Sequence, residues 1–101
     1  MTDITPEEVK QRLDAGETLH LIYVREPYEN AEFNIGGTLF PLGKIQSMQI
    51  EDIEGLRNEE VIFYCRSGNR SGIAARVLEQ VGFTNTKNLA GGMLAWQEKF
   101  G

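Results

Sequence analysis

Residues Val61, Ile62, Phe63 and Tyr64 form a short apolar run that breaks off into Cys65-Arg66-Ser67-Gly68-Asn69-Arg70-Ser71. A run this short, made of β-branched and aromatic residues, reads as a buried strand. After the polar turn, Ile73, Ala74, Val77, Leu78 and Val81 recur at helical spacing, and Gly82 stands where such a helix would end. Strand, polar turn and helix form one unit. The rest of the chain likewise alternates short apolar runs with helical stretches, which points to an α/β fold on a parallel sheet.

The first helix has a marked start. Thr5 is placed as N-cap, Pro6 at the first helical position and Glu8 to complete a capping box. Ile4 and Val9 are spaced as a hydrophobic staple, Val9 and Leu13 continue the apolar face, and Gly16 can end it. A strand is expected over Leu19–Val24, closed by Pro27, with a helical turn over Tyr28–Glu32 and a short strand over Thr38–Phe40. Apolar residues at Ile45, Met48, Ile53 and Leu56 allow a helix across that stretch. Asn88 and Leu89 read as a last short strand. Gly91-Gly92 then precede a helix over Met93–Phe100, with Trp96 and Phe100 four apart on one side.

The 101 residues suit one domain spanning 1–101, and 41% hydrophobic content is enough for its core. A net charge of -5 argues against general nucleic-acid binding, which shows a basic face. No segment approaches the ~20 apolar residues of a membrane helix, and the N-terminus lacks a signal-peptide pattern. One cysteine permits no intramolecular disulfide, which fits a reducing compartment. The expectation is a soluble, cytoplasmic protein without membrane or nucleic-acid partners. With one histidine and one cysteine no standard zinc cluster can be written, and no cofactor is expected. His20 reads as a surface or edge residue, Trp96 as core, and Glu51, Asp52 and Glu54 as a solvated face.

Cys65 falls at the carboxyl end of a strand, where open α/β sheets bind ligands. The turn after it can point several backbone N–H groups inward. With the positive end of the following helix, these make an anion cradle. Gly68 permits the unusual backbone conformation such a loop needs. Arg66 and Arg70 add positive charge, and Ser67 and Ser71 can donate to a sulfur anion. The alternative for Ser71 is helix capping. Arg70 is placed against the helix dipole, which marks it as a functional candidate. Helix N-termini and nearby cations lower a thiol pKa to roughly 3.5–7.5. A lone cysteine is commonly a small core residue, but its neighbours here are polar and cationic. Cys65 is therefore the candidate nucleophile, and Arg66, Ser67, Gly68, Asn69, Arg70 and Ser71 are the candidate substrate-binding residues.

This loop resembles the active-site loop of the rhodanese family. Leu21-Ile22-Tyr23-Val24-Arg25-Glu26-Pro27 is similar to the family's D-V-R-E-P strand end. Leu89-Ala90-Gly91-Gly92-Met93-Leu94-Ala95-Trp96 is similar to its L-x-G-G-x-x-A-W ending. Tyr23 replaces the family's Asp, and Phe33-Asn34-Ile35 then Gly36-Gly37-Thr38 stand where the family often has Gly-His-Ile and Pro-Gly-Ala. These departures bear on the wall of the pocket and leave the loop intact. The resemblance implies a three-layer α/β/α domain on a five-stranded parallel sheet, with Cys65 as sulfur carrier. Arg25 would face the loop by its family position, or else pair with Glu26 or Glu29.

The activity implied is sulfur transfer from a small anionic donor such as thiosulfate, through a Cys65 persulfide, to an external thiol or cyanide. A persulfide-delivery module for a protein acceptor is a second reading. A thiolate phosphatase or arsenate reductase is a third. Related cell-cycle phosphatases have five residues between Cys and Arg, whereas four separate Cys65 from Arg70 here, giving a smaller cradle.

Overall fold

The computed structural model describes residues 1–24 and 35–101. Arg25 and the helical turn expected over Tyr28–Glu32 lie outside the described residues. The elements are β1 (Thr2–Ile4), α1 (Pro6–Asp14), β2 (His20–Tyr23), β3 (Thr38–Leu39), α2 (Leu42–Gln46), a 3-10 helix (Glu51–Leu56), β4 (Glu60–Tyr64), α3 (Asn69–Gln80), β5 (Asn85–Leu89) and α4 (Gly92–Phe100). The five strands form one parallel sheet in the order β1-β5-β4-β2-β3.

Side chains alternate between the two faces of each strand, and this divides the core into two layers. Val61, Phe63 and Cys65 point with Ile22 and Val24 into a cluster completed by Ile45, Ile53, Ala74, Ala75 and Leu78. Ile62 and Tyr64 point with Leu21 and Tyr23 to the opposite face, against Val9 of α1 and Met93 and Trp96 of α4. The result is the expected three-layer α/β/α arrangement. Both faces of β4 are covered, so it carries no polar residue after Glu60.

The helix ends follow the sequence signals. The Thr5 hydroxyl accepts from the Glu8 N–H at 3.1 Å. At the other end of α1, Gly16 adopts φ +85 while the Gly16 and Glu17 N–H groups bond to the carbonyls of Leu13 and Arg12. Gly82 closes α3 in the same way at φ +109, with Phe83 N–H reaching the Leu78 carbonyl. These are Schellman ends, and glycine alone enters that conformation without strain. Trp96 and Phe100 meet edge to face, with ring centroids 4.8 Å apart.

Three expectations are corrected. No continuous helix spans Ile45–Leu56: α2 ends at Gln46, Met48 takes the left-handed conformation (φ 62), and the chain restarts as a 3-10 helix at Glu51. The break leaves Met48 exposed while Ile50 and Ile53 are buried. Ile73 is 40% exposed instead of buried, because α3 packs through Ser71, Ala74, Ala75 and Leu78. The small side chains of Ser71, Ala74 and Ala75 let the helix lie close to the sheet. Finally, β1 provides the fifth strand, at the edge beside β5, with only Ile4 buried. No helix among the described residues is long and apolar enough to cross a membrane.

Candidate active site

Cys65 leaves the end of β4 with its side chain 2% exposed, and the chain turns at once into α3. The residue before α3 is Gly68, at φ +95, so no side chain caps the helix. The sulfur takes that place. Cys65 Sγ accepts from the Gly68 N–H at 3.1 Å, the Ser71 N–H at 3.4 Å and the Ser71 hydroxyl at 3.3 Å. Burial pushes the thiol pKa up. The bonds from the Ser71 hydroxyl and from the Ser71, Gly68 and Ser67 N–H groups outweigh that, and the net direction is down. A buried cysteine is usually inert; these donors favour the thiolate in an otherwise apolar setting.

α4 holds the outer side of the loop. Its Met93 and Leu94 N–H groups donate to the carbonyls of Cys65 and Arg66, each at 2.9 Å. The contact requires Gly92: a Cβ there would lie 2.4 Å from the Cys65 carbonyl oxygen and 2.6 Å from that of Arg66. The Gly-Gly pair ahead of the last helix is thus a docking surface for the cysteine loop.

Of the residues singled out in the sequence, Cys65, Ser67, Gly68 and Ser71 converge on the sulfur, Ser67 through its backbone. Arg66 and Asn69 have exposed side chains, and Arg70 is half-buried in the first turn of α3. The capping role considered for Ser71 is not realised: it lies inside the helix, fully buried, with its hydroxyl on the sulfur. His20 pairs in register with Val61, at the end of the sheet remote from Cys65. Tyr23 is on the face opposite Cys65, buried and stacked on Tyr64 at 4.6 Å between ring centroids. Tyr64 donates its hydroxyl to the Gly36 carbonyl at 2.6 Å. Its burial pushes the phenol well above its ordinary value, so it stays a neutral donor.

Sequence reasoning missed two contributors. One is the N-terminus of α4, whose signal was the Gly91-Gly92 pair. The other is Asn88, placed only as a strand residue. Its Nδ2 donates to the Gly68 carbonyl at 3.0 Å and its Oδ1 accepts from the Ser71 hydroxyl.

A strand-end cysteine under a helix N-terminus, with α4 docked on its carbonyls, can be compared with known proteins. The rhodanese-like domain model matches residues 5–99. The chain belongs to the rhodanese-like family. Among relatives of similar length, it is 36% identical over 96 residues to YtwF of Bacillus subtilis, covering 94% of this chain and 89% of that protein. It is 33% identical over 96 residues to a sulfurtransferase of Allochromatium vinosum, covering 95% and 88%. The crystal structure of a rhodanese-like domain protein from Staphylococcus aureus superposes with a TM-score of 0.81 at 29% identity, over 95% of this chain and 91% of that one. The human single-domain sulfurtransferase TSTD1 gives 0.80 at 26% identity, over 98% and 97%. The chain spans about half of the Bacillus subtilis protein YrkF (51%), which it matches at 36% identity over 96% of its own length. It spans 24% of Mycobacterium tuberculosis MoeZ, at 36% identity over 95% of its own length.

Proposed function

We propose that this rhodanese-like chain is a sulfurtransferase that carries sulfane sulfur on Cys65. The observation that carries the reading is the set of donors on Cys65 Sγ, which favours the thiolate that sulfur transfer needs as nucleophile. The Cys65 thiolate attacks the outer sulfur of an anionic donor such as thiosulfate. A new S–S bond forms, the donor's S–S bond breaks, and sulfite leaves with the bonding electron pair. An external thiolate or cyanide then attacks the outer sulfur of the Cys65 persulfide and restores the thiolate. This is covalent catalysis in two half-reactions, with ping-pong kinetics. Arg66, Arg70 and the exposed loop residues Ser67 and Asn69 meet the anionic donor. The chain has one cysteine, so the acceptor comes from outside it.

A second reading concerns the acceptor. The family module recurs as a minor part of longer relatives: it is 31% identical over 98 residues to the adenylyltransferase and sulfurtransferase MOCS3-1 of Zea mays, covering 92% of this chain and 21% of that protein. Such relatives favour delivery of the persulfide to a protein partner.

The deciding experiment is intact mass after incubation with thiosulfate, before and after added thiol. Gain of one sulfur atom, reversed by thiol and absent in Cys65→Ser, is the expected result. No gain in the native chain, or the same gain in Cys65→Ser, would overturn the proposal.

A further inference from the structure

Asn88 is one of few buried polar side chains among the described residues, 8% exposed, on the strand next to that of the cysteine. In register it faces Phe63, two residues before Cys65. It binds Gly68 through Nδ2 and Ser71 through Oδ1. These are the two residues whose N–H groups and hydroxyl lie on Cys65 Sγ at 3.1, 3.4 and 3.3 Å. We infer that Asn88 is a positioning residue for the chemistry of Cys65, tying to the sheet both residues that hold the sulfur. The inference deepens the proposed sulfur transfer and rests on it for purpose, but its geometry and its test are independent of what Cys65 carries.

The two ends of the amide act differently. The Nδ2 bond anchors the Gly68 carbonyl to the sheet, in a residue whose φ of +95 glycine alone adopts without strain. With that carbonyl held, the Gly68 backbone keeps the turn from which its own N–H reaches Sγ. The Oδ1 bond acts through a shared hydrogen, because the Ser71 hydroxyl carries one hydrogen and faces two acceptors. With Cys65 protonated, the thiol hydrogen points at Ser71 Oγ and the hydroxyl hydrogen at Asn88 Oδ1. When the thiol gives its proton to solvent, the hydroxyl hydrogen turns to Sγ. Ser71 changes partner by rotating one bond, so the cradle is preorganised in both states. α3 leaves room for the amide at Gly72, where a Cβ would lie 3.3 Å from Asn88 Nδ2. The charged groups that line with Asn88 a groove of about 260 Å³ are Asp3, Arg76 and the amino group of Met1, which pairs with Glu79. The preceding residue, Lys87, is turned to Glu60 at 3.0 Å.

The test is a pH titration of the thiolate by its far-ultraviolet absorbance, in the full chain and in Asn88→Ala, Asn88→Asp and Thr86→Ala. With one cysteine the signal belongs to Cys65. Asn88→Ala is expected to raise the midpoint by about one pH unit, because loss of the Nδ2 anchor on Gly68 loosens the donors and outweighs release of the Ser71 hydrogen from Oδ1. Asn88→Asp should raise it further, since its carboxylate keeps the Ser71 hydrogen and adds like charge. Thr86 is buried on the same strand, so Thr86→Ala should lower the thermal midpoint and leave the titration in place. Should Asn88→Ala fail to fold, Asn88→Ser, which loses the Nδ2 bond with less lost volume, carries the same expectation. A titration that Asn88 variants leave unmoved or move downward, or that Thr86→Ala moves equally, overturns the inference. If the midpoint rises as expected but thiosulfate adds no mass, the sulfur-transfer proposal fails and the positioning role stands.

Discussion

Gly92→Ala is expected to be among the most damaging single-methyl changes in this chain. Gly92 has φ +59, a conformation that costs an alanine roughly 1–2 kcal/mol. Its Cβ would also lie 2.4 Å and 2.6 Å from two backbone carbonyl oxygens, those of Cys65 and Arg66. Neither is the free end of a flexible side chain, so backbone must move, at roughly 1–3 kcal/mol by analogy with overpacked cores. The same carbonyls accept from Met93 and Leu94 at 2.9 Å, and the shift misaligns both bonds. Together the loss should be roughly 3–5 kcal/mol, a large part of the stability of a domain this size. The neighbouring Gly91→Ala should cost less: its φ is +75, but its Cβ would meet only Ala95, at 2.6 Å from the Ala95 Cβ. Gly43→Ala in α2 meets nothing within 4 Å and should be neutral or slightly stabilising. Urea unfolding of the three variants, followed by far-ultraviolet circular dichroism, reads all three values. Gly92→Ala within about 1 kcal/mol of the native chain would refute the claim that α4 and the cysteine loop are in obligatory contact.

Ser71→Ala removes one donor from the sulfur and should raise the Cys65 ionisation midpoint, read by the pH dependence of iodoacetamide labelling; a midpoint equal to the native one would mean the backbone N–H groups alone set it. Arg66→Ala and Arg70→Ala should each lower kcat/KM for thiosulfate mainly through KM, with a smaller deficit at high ionic strength, and unchanged kcat/KM in both would remove the arginines from donor binding. Glu60 is bound by Arg12 through both carboxylate oxygens and by Lys87, which lowers its pKa from 4.5 to about 2. Its folded-state pKa is depressed, so its contribution is present above pH 4.5 and lost as pH falls toward 2. After discounting for partial exposure this is about 1–2 kcal/mol, and acid unfolding of Glu60→Gln should lack that slope; an identical acid profile in the variant would exclude the cluster as a stability source.

The parts of the fold legible in the sequence are those where apolar pattern and cap residues agree. β4 and its loop could be read because all four residues of Val61–Tyr64 are buried, leaving no period-2 ambiguity. Thr5, Gly16 and Gly82 could be read because N-caps and left-handed helix ends have few chemical solutions. β1 and most of β5 were hidden by their composition. Thr2-Asp3 is exposed edge, and Asn85-Thr86-Lys87-Asn88 is polar although Thr86 and Asn88 are buried. Asn88 departs from strand composition because of what it does at the site. The positions of Ile73 and Met48 followed from packing partners distant in sequence, which periodicity alone does not contain. The same holds for the contact between Gly92 and the Cys65 carbonyl, whose partners stand 27 residues apart.

The arrangement of two helix N-termini explains why this loop favours an anion although its centre is buried. A trans peptide points its C=O and N–H in opposite directions. The carbonyl of Arg66 is drawn outward to the Leu94 N–H of α4, and the N–H of the same peptide belongs to Ser67. That N–H is among the groups that lower the Cys65 pKa. Docking of α4 therefore removes acceptors from around the sulfur and turns donors toward it. α3 acts from the other side, where Gly68 offers no side-chain oxygen and Sγ receives the first-turn N–H groups instead. Donors and acceptors of the loop are thus sorted between two helices, donors to the sulfur and carbonyls to α4. Neither the cysteine nor the glycines alone produce that sorting, because it needs the Gly92 contact and the Gly68 turn together. It accounts for a 2% exposed thiol whose pKa nonetheless moves down.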